Sequence, residues 1–362
     1  MAAAFCSDAA TARPSIFVAD PDSTVTVLMA LLRVGEGGYA SGEELARLLG
    51  VSRVSVWGRL KKLQEEGLEL EAVRGRGYRL AREPAVLHPA VLAAYLRVRH
   101  PEAGGPALVY LPEIDSTNRE AERRLAAGCK TPVVIFAGRQ TAGRGRLGRA
   151  WHSAEAGGLY VSFAFQPRLP PARMPKFTLW MGLAICRLLN EVHGLPVRVK
   201  WPNDLVHEGR KLAGMLTEAR IDADVMRDLI FGLGLNVNGD PAQWGGGGAG
   251  AREAARVAGT LQQVNGGRPL SINAVAADVA WAGNRAYAEF VSGRYAEEFD
   301  ALWARYDSLR GREVTVNLAD GLLRGKVTGL DESGALKLTL SDGSRRTVQS
   351  GDVTLGGYGV KG

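Results

Sequence analysis

Gly143-Arg-Gly-Arg-Leu-Gly-Arg149 matches the GxGxxG pattern of a dinucleotide-binding turn, and its surroundings decide whether it is one. Such a turn leaves a strand and opens a helix. Val133 to Ala137 reads as the strand, but Ala150-Trp-His-Ser153 and Gly157-Gly158 follow it, and Leu159 to Phe165 then alternates like a second strand. The order is strand–loop–strand, which argues against a Rossmann phosphate turn. The arginines are equally out of place there. Glycine permits close backbone approach, while Arg144, Arg146 and Arg149 put several planar guanidinium forks on one loop. That loop suits the grip of a phosphate or a carboxylate. An arginine–glycine RNA-binding tract is the weaker reading, because the loop sits between core strands.

Two further stretches converge on the same chemistry. Lys200-Trp-Pro-Asn-Asp204 ends an alternating strand, Val197 to Trp201. Pro202 stops that strand and directs Asn203 and Asp204 into a loop, and Lys211 opens the next strand, Leu212 to Ala219. Two antiparallel strands joined in this way aim Lys211 at whatever the arginine loop holds. Asp115-Ser-Thr-Asn118 precedes a helix running to about Ala127. The spacing from Thr117 to Glu120 fits a capping box, so capping is the ordinary role of Ser116 and Thr117. A helix start also presents free N–H groups to a ligand.

Upstream, the pattern is that of a winged helix-turn-helix. Val25, Leu28, Leu31 and Leu32 recur at helical spacing. Ser41-Gly-Glu-Glu44 caps a second helix carrying Leu45, Leu48 and Leu49. Gly50-Val-Ser52 makes the turn into a third, running to about Glu66, whose buried face is expected to be Val51, Val54, Trp57, Leu60 and Leu63. Arg53, Ser55, Arg59, Lys61 and Lys62 then fall where a recognition helix meets DNA. Strands Glu69 to Val73 and Tyr78 to Leu80 flank a tip containing Arg74 and Arg76, placed to touch the phosphate backbone. Downstream, residues 311–362 are strand-rich, with turns at Ala319-Asp-Gly321, Asp331 to Gly334 and Ser341-Asp-Gly343.

Composition narrows the field. The 362 residues are 46% hydrophobic and 23% charged, so two or three globular domains are expected. A net charge of +7 permits a polyanionic partner without requiring one. Cys6, Cys129 and Cys186 are far apart, which argues against a disulfide framework or thiolate zinc site. Five histidines form no HxH or HxxxH pair, and no metal-ligand set is assigned. No stretch reaches the roughly 18 apolar residues of a membrane helix. Met1 to Ser7 lacks a basic start and Asp8 follows, so a signal peptide is not expected. A cytoplasmic protein with no membrane partner is the reading.

Taken together, Asp115-Ser-Thr-Asn118, Gln140, the arginine loop, Lys200-Trp-Pro-Asn-Asp-Leu205, Lys211-Leu-Ala-Gly214 and Gly232-Leu-Gly-Leu-Asn236 resemble the bifunctional biotin protein ligase–repressor family (BirA-type). The resemblance runs over almost the whole chain. It implies an α+β multidomain fold: a flexible tail (1–23), a winged helix-turn-helix (24–82), a mixed α/β biotin/lipoate-ligase-like catalytic domain (83–310) and a small SH3-like β-barrel (311–362). It implies formation of biotinyl-5′-AMP from biotin and ATP with Mg2+, then transfer to a lysine of a biotin carboxyl carrier domain. On the family pattern Ser116, Thr117, Asn118 and Gln140 hold biotin, with Arg144, Gly145 and Arg146 on the closing loop and Lys211 at the carboxylate and phosphate. Trp151, Asn203 and Asn236 fall beside the adenylate. Operator DNA and an adenylate-linked homodimer are the further partners implied.

Lys211, Arg144 and Arg146 then act as the catalytic cations, and Asp204 as the group that orients or deprotonates the acceptor amine. Two places depart from the family pattern. Asp240 to Val257 is glycine-rich, which raises the entropic cost of ordering it. Leu355 is followed by Gly356-Gly357, where an arginine often stands. The competing readings are a biotin sensor without ligase activity, a lipoate ligase, and a ligase whose first domain no longer represses and only assists catalysis. Lys211 with the intact arginine loop opposes the first; Lys200 to Asp204 and the helix-turn-helix oppose the second.

Overall fold

The computed structural model describes residues 15–17, 23–35, 37–101, 106–153, 157–243, 255–318 and 321–355. Most of the expected tail, most of the glycine-rich segment after Asp240, the Ala319-Asp320 turn and Gly356-Gly357 lie outside the described residues. Within the expected tail, β1 (Ser15–Phe17) pairs antiparallel with β4 (Ala107–Ile114).

The amino-terminal unit stacks α1 (Ser23–Arg33), α2 (Gly42–Leu49) and α3 (Arg53–Glu65) against the hairpin of β2 (Glu69–Val73) and β3 (Gly77–Arg82). Local sequence explains its turns. Ser41 Oγ accepts the Glu44 backbone N–H at 3.0 Å, and Gly50 ends α2 at φ 62°. Ser52 Oγ accepts the Ser55 N–H at 3.2 Å to begin α3. Val25, Leu28, Leu31, Leu45, Val56, Leu60 and Leu63 form the core. The buried face of α3 differs from the expected one. Val54 and Trp57 are exposed, as is Leu48 on α2, because the helix turns Val56, Leu60 and Leu63 inward. With apolar residues on both faces, periodicity alone could not choose between them.

Helix α4 (Pro89–Arg99) joins this unit to the next. Ala90, Val91, Ala93 and Ala94 enter the amino-terminal core, whereas Leu92 and Leu96 enter the central one. The central sheet has eight strands in the order β1-β4-β5-β6-β10-β9-β8-β7. These are β5 (Val133–Gln140), β6 (Gly158–Phe165), β7 (Arg198–Lys200), β8 (Asp204–His207), β9 (Arg210–Asp222) and β10 (Val225–Asn236). Only the β4–β5 pair is parallel among the described strands.

Strand alternation separates the two faces. Val134, Phe136, Phe163, Phe165 and Phe231 pack into the core with α6 (Met174–Glu191), α8 (Ile272–Ser292) and α9 (Tyr295–Tyr306), the short α7 (Leu261–Val264) lying between α6 and α8 in the chain. Val133, Ile135, Ala164 and Ile230 face the other way, onto Ala121 and Leu125 of α5 (Thr117–Ala126). Ser162, Gly214, Gly232 and Gly234 share that second face by parity, which leaves a shallow floor beyond the start of α5.

Asp204 is corrected from a loop residue to the first residue of β8. A tight hairpin pairs Lys200 with Asp204, and β8 then pairs Asp204 with Gly214 of β9. The expected two strands are therefore a three-stranded meander. The last unit is a five-stranded antiparallel sheet, β14-β13-β12-β11-β15, built from β11 (Glu313–Leu318), β12 (Gly321–Leu330), β13 (Leu336–Thr339), β14 (Arg345–Val348) and β15 (Asp352–Leu355). It touches the meander through Trp201, whose indole N–H donates to the Gly334 carbonyl at 3.0 Å.

Candidate active site

The floor is made by what glycine omits. Gly234 pairs directly with Gly214 across β10 and β9, and Gly232 pairs with Ser162 of β6. The indole of Trp151 lies on this bare patch. A Cβ on Gly234 would meet it at 2.3 Å, and one on Gly214 at 2.7 Å. A Cβ on Gly232 would stand 2.2 Å from Asn118 Oδ1. Trp151 Nε1 is buried without a hydrogen-bond partner, a donor that a ligand oxygen would satisfy.

The start of α5 supplies the polar wall. Ser116, Thr117, Asn118 and Ser162 are all buried. The Thr117 backbone N–H and hydroxyl both donate to Gln140 Oε1, at 2.8 and 3.0 Å. Ser162 Oγ lies 2.7 Å from Thr117 Oγ1 and 2.6 Å from Asn118 Oδ1, so its single hydrogen serves one of them at a time. Asn118 Nδ2 donates to Glu218 Oε2 at 2.7 Å. The expected capping box does not form: Ser116 stands at the cap position and makes no side-chain capping bond. Glu120 instead accepts from Arg123 and Arg124, and Thr117 is committed to Gln140. Asp115 braces the helix start, taking the Ser116 N–H at 2.7 Å and both terminal nitrogens of Arg123. Arg123 holds the Asp115 carboxyl at about 2, below its ordinary value.

The arginine loop is folded back on itself. Gly145 N–H donates to Arg149 O at 2.7 Å and Trp151 N–H to Gly143 O at 2.9 Å, around a single turn at Arg146–Gly148. Each cation of the site meets a partner from this chain. Arg144 pairs with Glu218 at 2.6 Å and Glu122 at 3.4 Å. Arg146 donates to Asn203 Oδ1 at 3.1 Å, and Arg149 pairs with Asp352 of β15. Lys211 Nζ forms an ion pair with Asp204 at 2.7 Å and sits 5.6 Å from the Trp151 ring. Burial lowers the pKa of the neighbouring Lys200, and Lys211 adds to that while Asp204 opposes it.

Ser116, Thr117, Asn118, Gln140, Arg144, Gly145, Arg146, Trp151, Asn203, Asp204 and Lys211 thus line one cavity of about 150 Å3. Asn236 is not among its lining residues. Its amide donates to the carbonyls of Lys211 and Gly259, tying β10 to the chain behind the site. Sequence reasoning missed Glu218, Ser162 and Asp352. Strand parity carried a signal for the first two; Asp352 comes from a separate unit and had none. Among the described residues no group of three His, Cys, Asp or Glu side chains could cage a metal ion. A magnesium ion held chiefly by phosphate oxygens and water needs no such cage.

The expected DNA-facing residues lie together on the amino-terminal unit. Arg53, Ser55, Lys61 and Lys62 of α3 are exposed, with Arg74 and Arg76 at the hairpin tip. Arg76 stacks 4.2 Å from the Tyr39 ring centre. Arg59 is less free, because its Nε donates to Ser23 Oγ and staples α3 to α1.

Comparison with known proteins follows the same three units. Residues 25–79 match the HTH domain, 110–236 the biotin/lipoate A/B protein ligase family, and 310–356 the biotin protein ligase C-terminal domain. The bifunctional ligase/repressor BirA of Bacillus subtilis is 30% identical over 91% of this chain and 98% of its own length. The chain belongs to the bifunctional biotin ligase/repressor family. The Escherichia coli BirA is likewise 30% identical, over 92% of this chain and 98% of that one. The biotin protein ligase of Aquifex aeolicus, solved in complex with biotin and ATP, aligns with a TM-score of 0.56 at 30% identity, covering 68% of this chain and 97% of that one. No described helix is long and apolar enough to cross a membrane.

Proposed function

We propose that the chain joins biotin to ATP, releasing pyrophosphate, and passes the biotinyl group to a lysine of a biotin carboxyl carrier domain. The observation that carries this is the convergence of the α5 start, the arginine loop and Lys211 on one cavity. In the first step a biotin carboxylate oxygen bonds to the α-phosphorus as the bond to the β-phosphate oxygen breaks. Two anions must be held in line, and fixed positive charge lowers the cost. Lys211, Arg144 and Arg146 supply it, leaving Asp204, Glu218 and Asn203 as their ligand-free partners. The buried polar groups of Ser116, Thr117, Asn118 and Gln140 fix the biotin head, and Trp151 and Asn203 flank the adenylate. ATP brings Mg2+ with its phosphates.

In the second step the acceptor amine attacks the acyl carbon, AMP leaves, and a proton must be lost from nitrogen. Asp204 would take or orient it once Lys211 has turned to phosphate. Incubation with biotin, MgATP and a carrier domain, followed by intact-mass analysis, tests the reading. A gain of one biotin, lost in Lys211→Ala, is expected; no labelling and no biotin-dependent pyrophosphate would leave a ligand sensor.

The same proposal includes repression. The amino-terminal unit binds operator DNA through α3 and the hairpin tip, as a homodimer when the adenylate is bound, in the cytoplasm. The exposed cations of α3 and the tip support the DNA contact; dimerisation and location rest on the family alone.

A further inference from the structure

Val54, Trp57, Gly58 and Lys61 follow one another at helical spacing along α3, on the side away from buried Val56, Leu60 and Leu63. Val54 is 77% exposed and Trp57 57% exposed. Large apolar side chains held in water at the centre of a polar face are a mark of an interaction surface. Gly58 makes an independent point. It stands inside a helix of 13 residues, where glycine is less favourable than alanine. A Cβ built on it meets nothing within 4 Å, so no packing among the described residues requires its absence. The bare spot lies between the two apolar side chains and Lys61.

Cations outnumber anions around the stripe. Arg53, Lys61 and Lys62 are exposed on the same helix, with Glu65 and Glu66 at its carboxy-terminal end and Glu66 3.8 Å from Lys62. Arg74 and Arg76 are exposed on the hairpin of the same unit, and Lys61 Nζ lies 5.8 Å from the Trp57 ring centre. An occupant must therefore present anions outside and something apolar within. Duplex DNA does this in its major groove, where the thymine methyl is the apolar group exposed among the base edges. The amino-terminal half of the second helix of a helix-turn-helix is the part that reaches those edges.

We propose that Val54 and Trp57 read thymine methyl groups in the major groove, with Gly58 leaving room for α3 to approach the bases closely. The inference rests on the DNA-binding reading above. Lys61 and the hairpin arginines contact phosphate, which adds affinity without sequence preference.

The test uses the full chain with biotin and MgATP to select from a duplex library with a randomised centre. The enriched duplex is remade with deoxyuridine in place of each thymine in turn, which removes only the methyl. Binding should weaken about tenfold at one or two positions. Trp57→Ala should weaken binding to the parent duplex and erase the sensitivity to at least one of those positions. Gly58→Ala should raise Tm while weakening binding, a combination that misfolding cannot produce. Lys61→Ala should weaken all duplexes alike and reduce the salt dependence. Binding indifferent to every deoxyuridine, or a Trp57→Ala protein that keeps full sensitivity, overturns the inference and leaves DNA binding standing. A Trp57→Ala protein that alters self-association and leaves DNA binding unchanged also overturns it, assigning the stripe to a second copy. Enrichment of no duplex overturns both readings.

Discussion

The indole of Trp151 lies against the α-carbon of Gly234 so closely that a β-carbon there would stand 2.3 Å from the ring. Its cross-strand partner Gly214 makes the matching contact from β9, and the Lys211 ammonium lies beside Gly214, 5.6 Å from the ring centre. The position of Trp151 over the site is thus set by two missing side chains. Gly234→Ala should force the ring off the floor while leaving the sheet paired. Displacing an oriented group by about 1 Å can cost up to 100-fold in rate, so biotin-dependent pyrophosphate release should fall about tenfold or more with Tm little changed. A wild-type rate would mean that the indole position does not matter to the reaction.

Lys211 stands over that ring and is paired only with Asp204 among the described ion pairs. Removing a fixed charge from where charge develops commonly costs about 2.7–4 kcal/mol, or 100- to 1,000-fold in rate. Lys211→Ala should lose that much in adenylate formation, read as pyrophosphate release. Lys211→Arg should recover part of it, because a planar fork cannot occupy the place of a compact ammonium. Supplied with preformed biotinyl-5′-AMP, the alanine variant should transfer biotin with a much smaller defect. Equal losses in both half-reactions would move Lys211 from activation to general binding.

Asp204 offers a separate test of the transfer step. Asp204→Asn keeps the size of the side chain and removes the charge that faces Lys211. Transfer to the carrier lysine should slow about 100-fold, the lower range for general-base removal. Pyrophosphate release should change little. Unchanged transfer would remove Asp204 from the proton path.

The arginine loop and Lys211 were legible in the sequence because their residue types are rare in that combination and their chemistry is local. What was not legible depended on facing. On β9 and β10 the residues that make the floor differ from those that fill the core only by parity. Gly232 and Gly234 read as a motif, with no hint that one faces Asn118 and the other Trp151. Helix α3 carries apolar residues on both sides, so the buried stripe could be placed at Trp57 as readily as at Val56. The Thr117–Glu120 spacing suggested a cap, but Gln140 and Arg123 and Arg124 are stronger local partners for these two residues. The motif places Asn236 beside the adenylate but does not show that its Nδ2 also donates to two backbone carbonyls.

Arg149 and Asp352 join the arginine loop to the last sheet. Arg149 is well exposed, so the pair should add no more than about 1 kcal/mol to global stability. Its effect should instead be local. Asp352→Asn should hasten tryptic cleavage within the arginine loop in the absence of biotin and raise the KM for ATP, with kcat changed less. In a double-mutant cycle with Arg149→Ala the two effects should overlap, because one interaction is lost by either change. Strictly additive effects would show that the two side chains act apart.

Asp115 provides the pH test of the α5 start. Arg123 is the main cause of its lowered pKa, with the Ser116 N–H and the charge of Arg119 acting in the same direction against partial burial. The folded value is about 2 against an ordinary 3.8, so the native state binds this proton more weakly than the unfolded chain. The stabilisation is therefore complete above pH about 4 and is lost as pH falls through about 2. A third of the side chain is exposed, so screening limits the contribution to about 1 kcal/mol. Asp115→Asn retains an oxygen for the Ser116 N–H and removes only the charge. Its Tm should lie below wild type at pH 7, and the gap should close as both proteins are taken from pH 4 to pH 2. A gap that stays constant over that range would assign the loss to the shape of the helix start and clear the ion pair of any part in it.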